Sequence, residues 1–253
     1  MGSKSPPDLE SISKRISQLS FGKSFDSESL AHDLSLAETY LEHYPATSHS
    51  IMGMIATFQG NEEKMRYHFE AIRTINGASF PVRINFIMAL QGIGCFSESV
   101  IEAREANQIY KKNPPILAET VFACIQAGRF HEATQWMDDY DRLTGCHDTL
   151  PGAHKTRRCA LFLRERQISD RDLESIQLQA ASLLREERVM GAALRYQIRE
   201  DESDRWLSFR YQLSLPEEKV VALEWELGKR LAESRLSEQI FRHFSIGFLT
   251  ASE

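Results

Sequence analysis

Three glycines separated by a constant interval constrain the fold of this chain more than any other feature. Gly60, Gly94 and Gly128 each stand between the end of one helical apolar pattern and the start of the next, and both intervals are 34 residues. Two antiparallel helices joined by a very short turn need one residue with a left-handed backbone, which glycine adopts without steric cost. The spacing therefore predicts consecutive helical hairpins with a period of 34 residues.

The residues after the glycines support this interpretation. Phe96 and Phe130 lie two positions after Gly94 and Gly128, where a ring can fill the space between the two helices of a hairpin. A small residue, Ser99 or Ala133, follows three positions later and permits close helix approach. The segment AGRFHEA, which ends at Ala133, shows the pattern most clearly.

These segments resemble the tetratricopeptide repeat (TPR) family, whose second helix usually opens with Gly, a variable residue, an aromatic residue, two variable residues and Ala. The resemblance covers residues 46–143, and residues 27–45 resemble a degenerate repeat before them. The first clear repeat departs from the pattern, with Glu62 and Met65 in place of the aromatic residue and Ala. The alternative is an ordinary α-helical bundle in which the glycine spacing arose by chance.

The resemblance implies a concave groove, because TPR proteins bind peptides or partner helices along the face formed by their first helices. With each turn glycine at the fifteenth position of the family's repeat, a mostly apolar line of residues faces this groove: Ser50, Met54, Phe58, Ile84, Met88, Gln91, Phe122 and Ile125. Such a surface accepts a partner helix or an extended segment. The alternative is that the same side chains are buried in the protein's own core.

Charge and turn-forming residues divide the chain into two parts. Residues 1–150 hold 13 Lys and Arg against 19 Asp and Glu, which accounts for the whole net charge of −6, and the rest of the chain is neutral. The repeat register ends after Leu143. We expect four regions: an N-terminal polar segment that is partly disordered or forms one helix (1–26), TPR-like repeats (27–143), a linker (144–157) and a small α+β domain (158–253).

The apolar period changes within the last region. Residues 169–189 and 214–233 repeat apolar side chains at helical spacing, whereas residues 193–199, 205–213 and 244–248 alternate apolar and polar side chains, as half-buried strands do. The predicted fold is therefore mainly α, with a TPR-like α-α superhelical stack followed by an α+β domain in the order helix-strand-strand-helix-strand.

The polar face of the predicted hairpin is basic and aromatic, with Arg195, Arg199, Trp206 and Arg210. Arginine and tryptophan can bind RNA or single-stranded DNA through charge and stacking. The alternative is an ordinary solvated sheet face whose arginines are neutralised by the acidic residues of the hairpin loop, residues 200–204.

Motifs that would indicate a metal or a catalytic site are weak or absent. Cys146, His147, His154 and Cys159 are residue types that bind zinc, but their spacing matches no zinc finger or ribbon. The chain has no phosphate-binding loop, no metalloprotease motif and no nucleophile elbow. We expect no metal, no cofactor and no catalytic residue.

Together these features favour a non-enzymatic interaction protein, a scaffold, adaptor or chaperone-like protein that binds a partner peptide or helix through the groove. One alternative is a nucleic-acid-associated regulator that uses the basic hairpin face. A weaker alternative is an enzyme with an unrecognised site in the C-terminal domain. The sequence has neither a membrane-spanning run nor a signal peptide, and its four cysteines are too sparse for a disulfide framework, so we expect a cytoplasmic protein without a membrane partner.

Overall fold

The computed structural model describes residues 6–18, 27–75, 79–201, 204–234 and 238–251. Within these ranges the chain forms ten helices, two strands, two further helices and a last strand. The helices are α1 (Pro7–Gln18), α2 (Ser27–Thr39), α3 (Pro45–Phe58), α4 (Glu62–Thr74), α5 (Phe80–Gly92), α6 (Phe96–Ile109), α7 (Pro114–Gln126), α8 (Phe130–Thr144), α9 (Ala153–Glu165), α10 (Asp170–Glu186), α11 (Glu217–Glu233) and α12 (Glu238–His243). The strands are β1 (Ala193–Glu200), β2 (Arg205–Leu213) and β3 (Phe244–Thr250).

The prediction of a mainly helical chain with three C-terminal strands is confirmed. The predicted order of helix, strand, strand, helix and strand corresponds to α10, β1, β2, α11 and β3. Helix α9, which lies mostly within the same predicted region, and the short α12 were not predicted. In the predicted N-terminal segment, α1 is the described part, and residues 1–5 and 19–26 lie outside the described ranges.

Prolines mark where the first helix of each hairpin begins. Pro45 and Pro114 open α3 and α7, and Pro81 is the second residue of α5. Proline suits the first turn of a helix because its fixed φ is already helical and its missing N–H would have no helical partner there. Each first helix therefore has a proline in its first turn and a glycine turn after its end, and the glycines keep the 34-residue interval.

The three turn glycines have the left-handed conformation that the spacing predicts. The φ angles of Gly60, Gly94 and Gly128 are 69°, 77° and 78°. In every turn the residue after the glycine donates its N–H to the carbonyl five positions earlier, at 2.8 Å. This hydrogen bond satisfies a carbonyl at the end of the first helix and turns the chain directly into the second.

Helices α3 to α8 form three hairpins that pack side by side. Helix α3 pairs with α4, α5 with α6, and α7 with α8. The first helices are also neighbours, since α5 packs against both α3 and α7. On the N-terminal side α1 and α2 both pack against α3, and on the other side α9 packs against α8.

The predicted linker over residues 144–157 is only partly a loop, because α9 begins at Ala153. Only the first five residues of α9 fall within the predicted linker, and they follow directly on turn-forming residues. So short a stretch shows no helical period of apolar residues. Arg157 of α9 forms ion pairs with Asp138 and Asp141 of α8 and with Asp148 of the intervening loop, at 2.6–2.8 Å. The segment is therefore packed structure and not a free connection.

Helix α10 runs along the edge of the stack where the glycine turns lie. A Cβ atom on Gly128 would lie 3.1 Å from the backbone of Leu173, and one on Gly94 would lie 3.5 Å from the carbonyl oxygen of Ala181. Beyond the end of the helix, the side chain of Met190 lies 3.4 Å from the same position on Gly60. All three glycines thus serve both the turn and the close approach of this segment.

Polar contacts fasten α10 to the same edge. The carboxylate of Asp170 accepts hydrogen bonds from the backbone N–H groups of His131 and Glu132, both at 2.9 Å, and so caps the N-terminus of α8. Arg129 donates to Glu174 at 2.6 Å. Helix α10 is therefore an integral part of the helical stack, although the repeat period does not extend to it.

The three strands form one sheet in the order β1-β2-β3, with β1 antiparallel to β2 and β2 parallel to β3. One face carries buried aromatic and aliphatic side chains and packs on the helices. The ring of Phe96 stacks on Tyr211 with a centroid distance of 6.0 Å, and the ring of Phe130 lies 5.4 Å from that of Phe209.

These contacts correct the predicted role of Phe96 and Phe130. The rings do not merely fill the space inside their own hairpins, because they join the helical hairpins to the sheet. A C-terminal cluster of buried residues extends from Ile87 in α5 to Phe248 in β3, and an N-terminal cluster extends from Leu9 to Cys95. The core is therefore not divided at residues 144–157, where the sequence predicts a boundary.

Candidate functional site

The predicted groove residues do not all reach the surface. Ser50, Met54 and Ile125 are only 3%, 1% and 6% exposed. Met54 belongs to the N-terminal cluster together with Leu9 and Ile12 of α1, which packs against α3. For these three residues the alternative interpretation, buried core, describes the structure.

The remaining groove residues are partly exposed. Phe58 packs against the N-terminal cluster and Ile84 against the C-terminal cluster. Met88 and Phe122 pack against neither cluster, although they occupy equivalent positions 34 residues apart on the adjacent helices α5 and α7. The apolar line is therefore interrupted by buried residues in its first and third repeats, and Met88 and Phe122 are the partly exposed apolar members that pack against neither cluster.

Polar side chains of α5 and α7 accompany Met88 and Phe122. Residues 88 and 91 are three positions apart on α5, and residues 119, 122 and 126 follow helical spacing on α7, so each set shares one helix face. A hydrogen bond of 2.8 Å from Gln91 to Glu119 links the two helices. We call this set the α5–α7 patch: Met88, Gln91, Glu119, Phe122 and Gln126.

The α5–α7 patch contains hydrogen-bond acceptors that lack strong donors. Burial raises the pKa of Glu119 to about 7, because the carboxylate loses hydration and the amide of Gln91 compensates only in part. The side-chain oxygen of Gln126 is buried and has no hydrogen-bond partner within the described residues. A buried acceptor without a donor is costly, so the patch is suited to a ligand that donates hydrogen bonds.

Sequence reasoning missed Glu119 as a site residue. It is the only charged residue of α7, whose sequence is PPILAETVFACIQ. A lone carboxyl group in an apolar helix is a signal, since burial without a cationic partner is expensive. The sequence of α7 alone does not show whether Glu119 lies on an exposed or a buried face of the helix, because that depends on tertiary packing.

Toward the N-terminal end the same helical face becomes polar. Helices α1, α3 and α5 enclose a cavity of about 410 Å³ lined by nine residues, seven of which carry polar or charged side chains. Asn85 of α5 donates to the hydroxyl of Ser50 of α3 at 3.0 Å within it. The apolar groove that the resemblance implies is thus replaced here by a polar cleft.

The four predicted nucleic-acid residues lie on the sheet face that points away from the helices. Strand pairing places Arg195 directly opposite Arg210, and Arg199 directly opposite Trp206. Gln197 lies between the two pairs, opposite Ser208. We call the whole set the outer sheet face: Ala193, Arg195, Gln197, Arg199, Trp206, Ser208, Arg210, Gln212, Ser245, Gly247 and Leu249.

The acidic loop residues do not neutralise these arginines where the structure describes them. Glu200 lies 3.7 Å from Arg205, whose side chain belongs to the opposite face of the sheet. Within the described residues, Arg195, Arg199 and Arg210 form no ion pair with any carboxylate. Glu202 of the predicted loop lies outside the described ranges.

One carboxylate approaches the outer sheet face at the edge formed by β3. Glu224 of α11 lies against Gly247, which is the strand partner of Arg210, and accepts a hydrogen bond from the backbone N–H of Phe248 without forming an ion pair with Arg210. That contact satisfies the open edge of β3. The arginines of β1 and β2 remain a cationic surface, with Trp206 partly exposed among them.

The residues considered for zinc are not gathered into a site. Cys159 is buried in α9, whereas Cys146 is exposed and the side chain of His147 is 91% exposed. Across the described ranges, no three His, Cys, Asp or Glu side chains are grouped as metal ligands. Burial raises the pKa of the Cys95 and Cys159 thiols to about 11, which leaves both protonated at neutral pH.

No helix in the described ranges combines the length and the hydrophobicity that crossing a bilayer requires. Comparisons with known proteins return no match to a family model, a curated protein or a solved structure.

Proposed function

We propose that this chain is a non-enzymatic protein-binding protein whose TPR-like helical stack holds a partner peptide or helix against the α5–α7 patch. The observation that supports the proposal is the partly exposed position of Met88 and Phe122, at equivalent points of two adjacent helices. They lie next to a carboxylate whose donor is a single amide and next to the Gln126 oxygen, which has no donor among the described residues. Soluble proteins rarely leave apolar and unsatisfied polar groups together unless a contact covers them.

The chemistry of the patch defines the partner. Flexible and aromatic side chains such as Met88 and Phe122 adapt to apolar anchors of different shapes. Glu119 and the side-chain oxygen of Gln126 require donors, and a partner with lysine, arginine or amide groups supplies them. The net charge of −6 on residues 1–150 also favours the approach of a basic partner.

The mechanism is recognition by a rigid surface. Helices α5 and α7 are held by their glycine turns, by α10 across the turns and by the hydrogen bond between Gln91 and Glu119. A surface that is ordered before binding loses little conformational entropy when the partner docks. In the cytoplasm, where we propose that the protein resides, its four free thiols stay reduced.

Substitution of Phe122 tests the proposal. Phe122→Ser should reduce the recovery of specific partners from the native host more than tenfold in a quantitative pull-down, because a central aromatic anchor carries much of the binding free energy. Leu161→Ser is the matched control, since Leu161 is an exposed apolar residue (55%) on α9, away from the patch.

Circular dichroism must show that both variants fold. If folded Phe122→Ser recovers the same proteins in the same amounts as Leu161→Ser, the α5–α7 patch is not the binding site and the proposal is wrong.

A further inference from the structure

A second surface, independent of the α5–α7 patch, has the chemistry of a different ligand. We propose that the outer sheet face binds single-stranded nucleic acid. The face carries three arginines and a tryptophan on two paired strands, and the described residues place no carboxylate in an ion pair with any of these arginines.

The strand register concentrates positive charge on this face. Arg195 and Arg210 are a directly opposed pair, with Cβ atoms about 5 Å apart in such a pair, and like charges in this arrangement destabilise a sheet. Arg210 donates a hydrogen bond to the carbonyl of Phe209 and not to a carboxylate. A phosphate group placed between the two guanidinium groups removes the repulsion and accepts hydrogen bonds from both.

Arg199 extends the cationic line along β1. It lies four residues beyond Arg195, which is about 13 Å along a strand. The backbone of an extended nucleic acid strand laid along β1 can therefore meet the pair at Arg195 and Arg210 first and Arg199 further on.

Trp206 distinguishes nucleic acid from other anions. It stands opposite Arg199 in the register and is partly exposed, so its ring and the adjacent guanidinium group offer two planar surfaces on which bases stack. The amide of Gln212 is partly exposed on the same face and can bond to a base edge, whereas Ser208 is buried and the amide oxygen of Gln197 accepts hydrogen bonds from the guanidinium of Arg199. An acidic peptide uses the charge of the arginines but not the stacking surface.

The number of arginines sets the expected salt dependence. Neutralising three phosphates of a single strand gives a slope of about −2 for the logarithm of the binding constant against the logarithm of salt concentration. Affinity should then fall about 20-fold between about 50 and 200 mM salt. When two of the three arginines are lost, the slope should approach −0.7 and the fall should be only about threefold.

The test measures fluorescence anisotropy of labelled oligouridylate and oligothymidylate with the full-length protein. The double variant Arg195→Gln/Arg210→Gln should bind both probes at least tenfold more weakly at low salt and show the smaller slope. Arg158→Gln/Arg171→Gln is the matched control, since it removes two exposed arginines from α9 and α10, and its affinity should equal that of the wild type.

Substitution of Trp206 separates stacking from charge. Trp206→Leu should lower affinity about tenfold without changing the salt slope, and Trp206→Phe should restore most of the loss. A higher affinity for oligouridylate than for oligothymidylate would indicate that the 2′-hydroxyl is recognised.

Three results overturn the proposal. The first is no measurable binding of either probe by the wild type at low salt. The second is an equal loss of affinity in the two arginine double variants, which would indicate general charge attraction. The third is displacement of both probes by polyglutamate at the same concentration of charge, which would assign the face to an acidic protein. None of these results bears on partner binding at Phe122, so the two proposals fail separately.

Discussion

The α5–α7 patch and the outer sheet face both hold charge at a cost in stability, but for different physical reasons. Glu119 is surrounded by protein and has an amide as its partner, so loss of hydration opposes its ionisation. Arg195 and Arg210 oppose each other across two strands. The desolvation cost at Glu119 varies with pH and little with salt. The repulsion between Arg195 and Arg210 varies with salt and is constant near neutral pH.

The two surfaces also differ in what they lack. The α5–α7 patch has acceptors without sufficient donors, and the outer sheet face has donors without carboxylate acceptors among the described residues. A ligand that satisfies one surface leaves the other unsatisfied. Under the two proposals, two surfaces of one chain would bind ligands of opposite hydrogen-bonding character.

Both surfaces should belong to one cooperatively folded unit, and Gly128→Ala is the substitution with the largest expected effect on the stability of that unit. The alanine would have to adopt a φ angle near 78°, and its Cβ atom would lie 3.1–3.2 Å from the backbone of α10. We expect a loss of about 3 kcal/mol in the free energy of unfolding, measured by urea titration. Circular dichroism and tryptophan fluorescence should report one coincident transition.

Gly145→Ala is the control for this prediction. Its φ is 70°, but nothing lies within 4 Å of the added Cβ, so only the backbone cost of about 1 kcal/mol should appear. Equal losses at both glycines would mean that α10 does not press on the turn. Two separate transitions would mean that the two surfaces unfold independently.

Glu119→Gln tests whether burial of the Glu119 carboxylate lowers the stability of the protein in a pH-dependent way. The pKa of Glu119 is about 7 in the folded protein, above its value of about 4.3 in the unfolded chain. Between these values the folded state holds the proton more strongly, so wild-type stability should fall as pH rises toward 7 and stay low above it. Glu119→Gln should be more stable by about 2 kcal/mol at pH near 8 and equal to the wild type near pH 4.

Glu105→Gln is the matched control, since Glu105 is exposed on α6. It should change stability little at either pH. A gain for Glu119→Gln that is constant with pH, or that disappears in high salt, would contradict the desolvation argument.

Arg195→Glu has the smallest expected effect and addresses the sheet. It replaces a like-charge pair by an opposite pair across from Arg210, so the free energy of unfolding should rise by about 0.5 kcal/mol at low salt. The gain should shrink as salt is added and should not change between about pH 6 and 8. Melting curves at two salt concentrations measure it, and a loss of stability would show that the opposed arginines do not repel.

The parts of the fold that depend on local pattern were predictable from the sequence. The turn at Gly94 follows from a steric property of one residue, and alternation places Arg195 and Arg199 on one face of β1 and Trp206 and Arg210 on one face of β2. The strand pairing adds the exact opposition of Arg195 and Arg210, which alternation alone does not give.

The parts that depend on packing between distant segments were not predictable. Helix α10 was expected from its apolar period, but nothing in that period shows that it lies across the turns at Gly94 and Gly128. The same limit applies to the groove, because the burial of Met54 depends on α1 and the openness of Phe122 depends on which surfaces the C-terminal region covers. Phe130 likewise packs on a sheet whose position the hairpin pattern does not contain.

The path of α10 across the glycine turns has a consequence for the order of folding. The helix runs opposite to the order of the hairpins. Its contacts with Gly128 and Gly94, and the contact of Met190 beyond its end with Gly60, therefore join residues about 46, 87 and 130 positions apart in the chain. The entropy of closing a loop grows with its length, so the shortest of these contacts closes most easily. We therefore expect the contact at Gly128 to form first and the contact at Gly60 last. The hairpin of α3 and α4, which is synthesised first, would complete its packing at this edge after the other two.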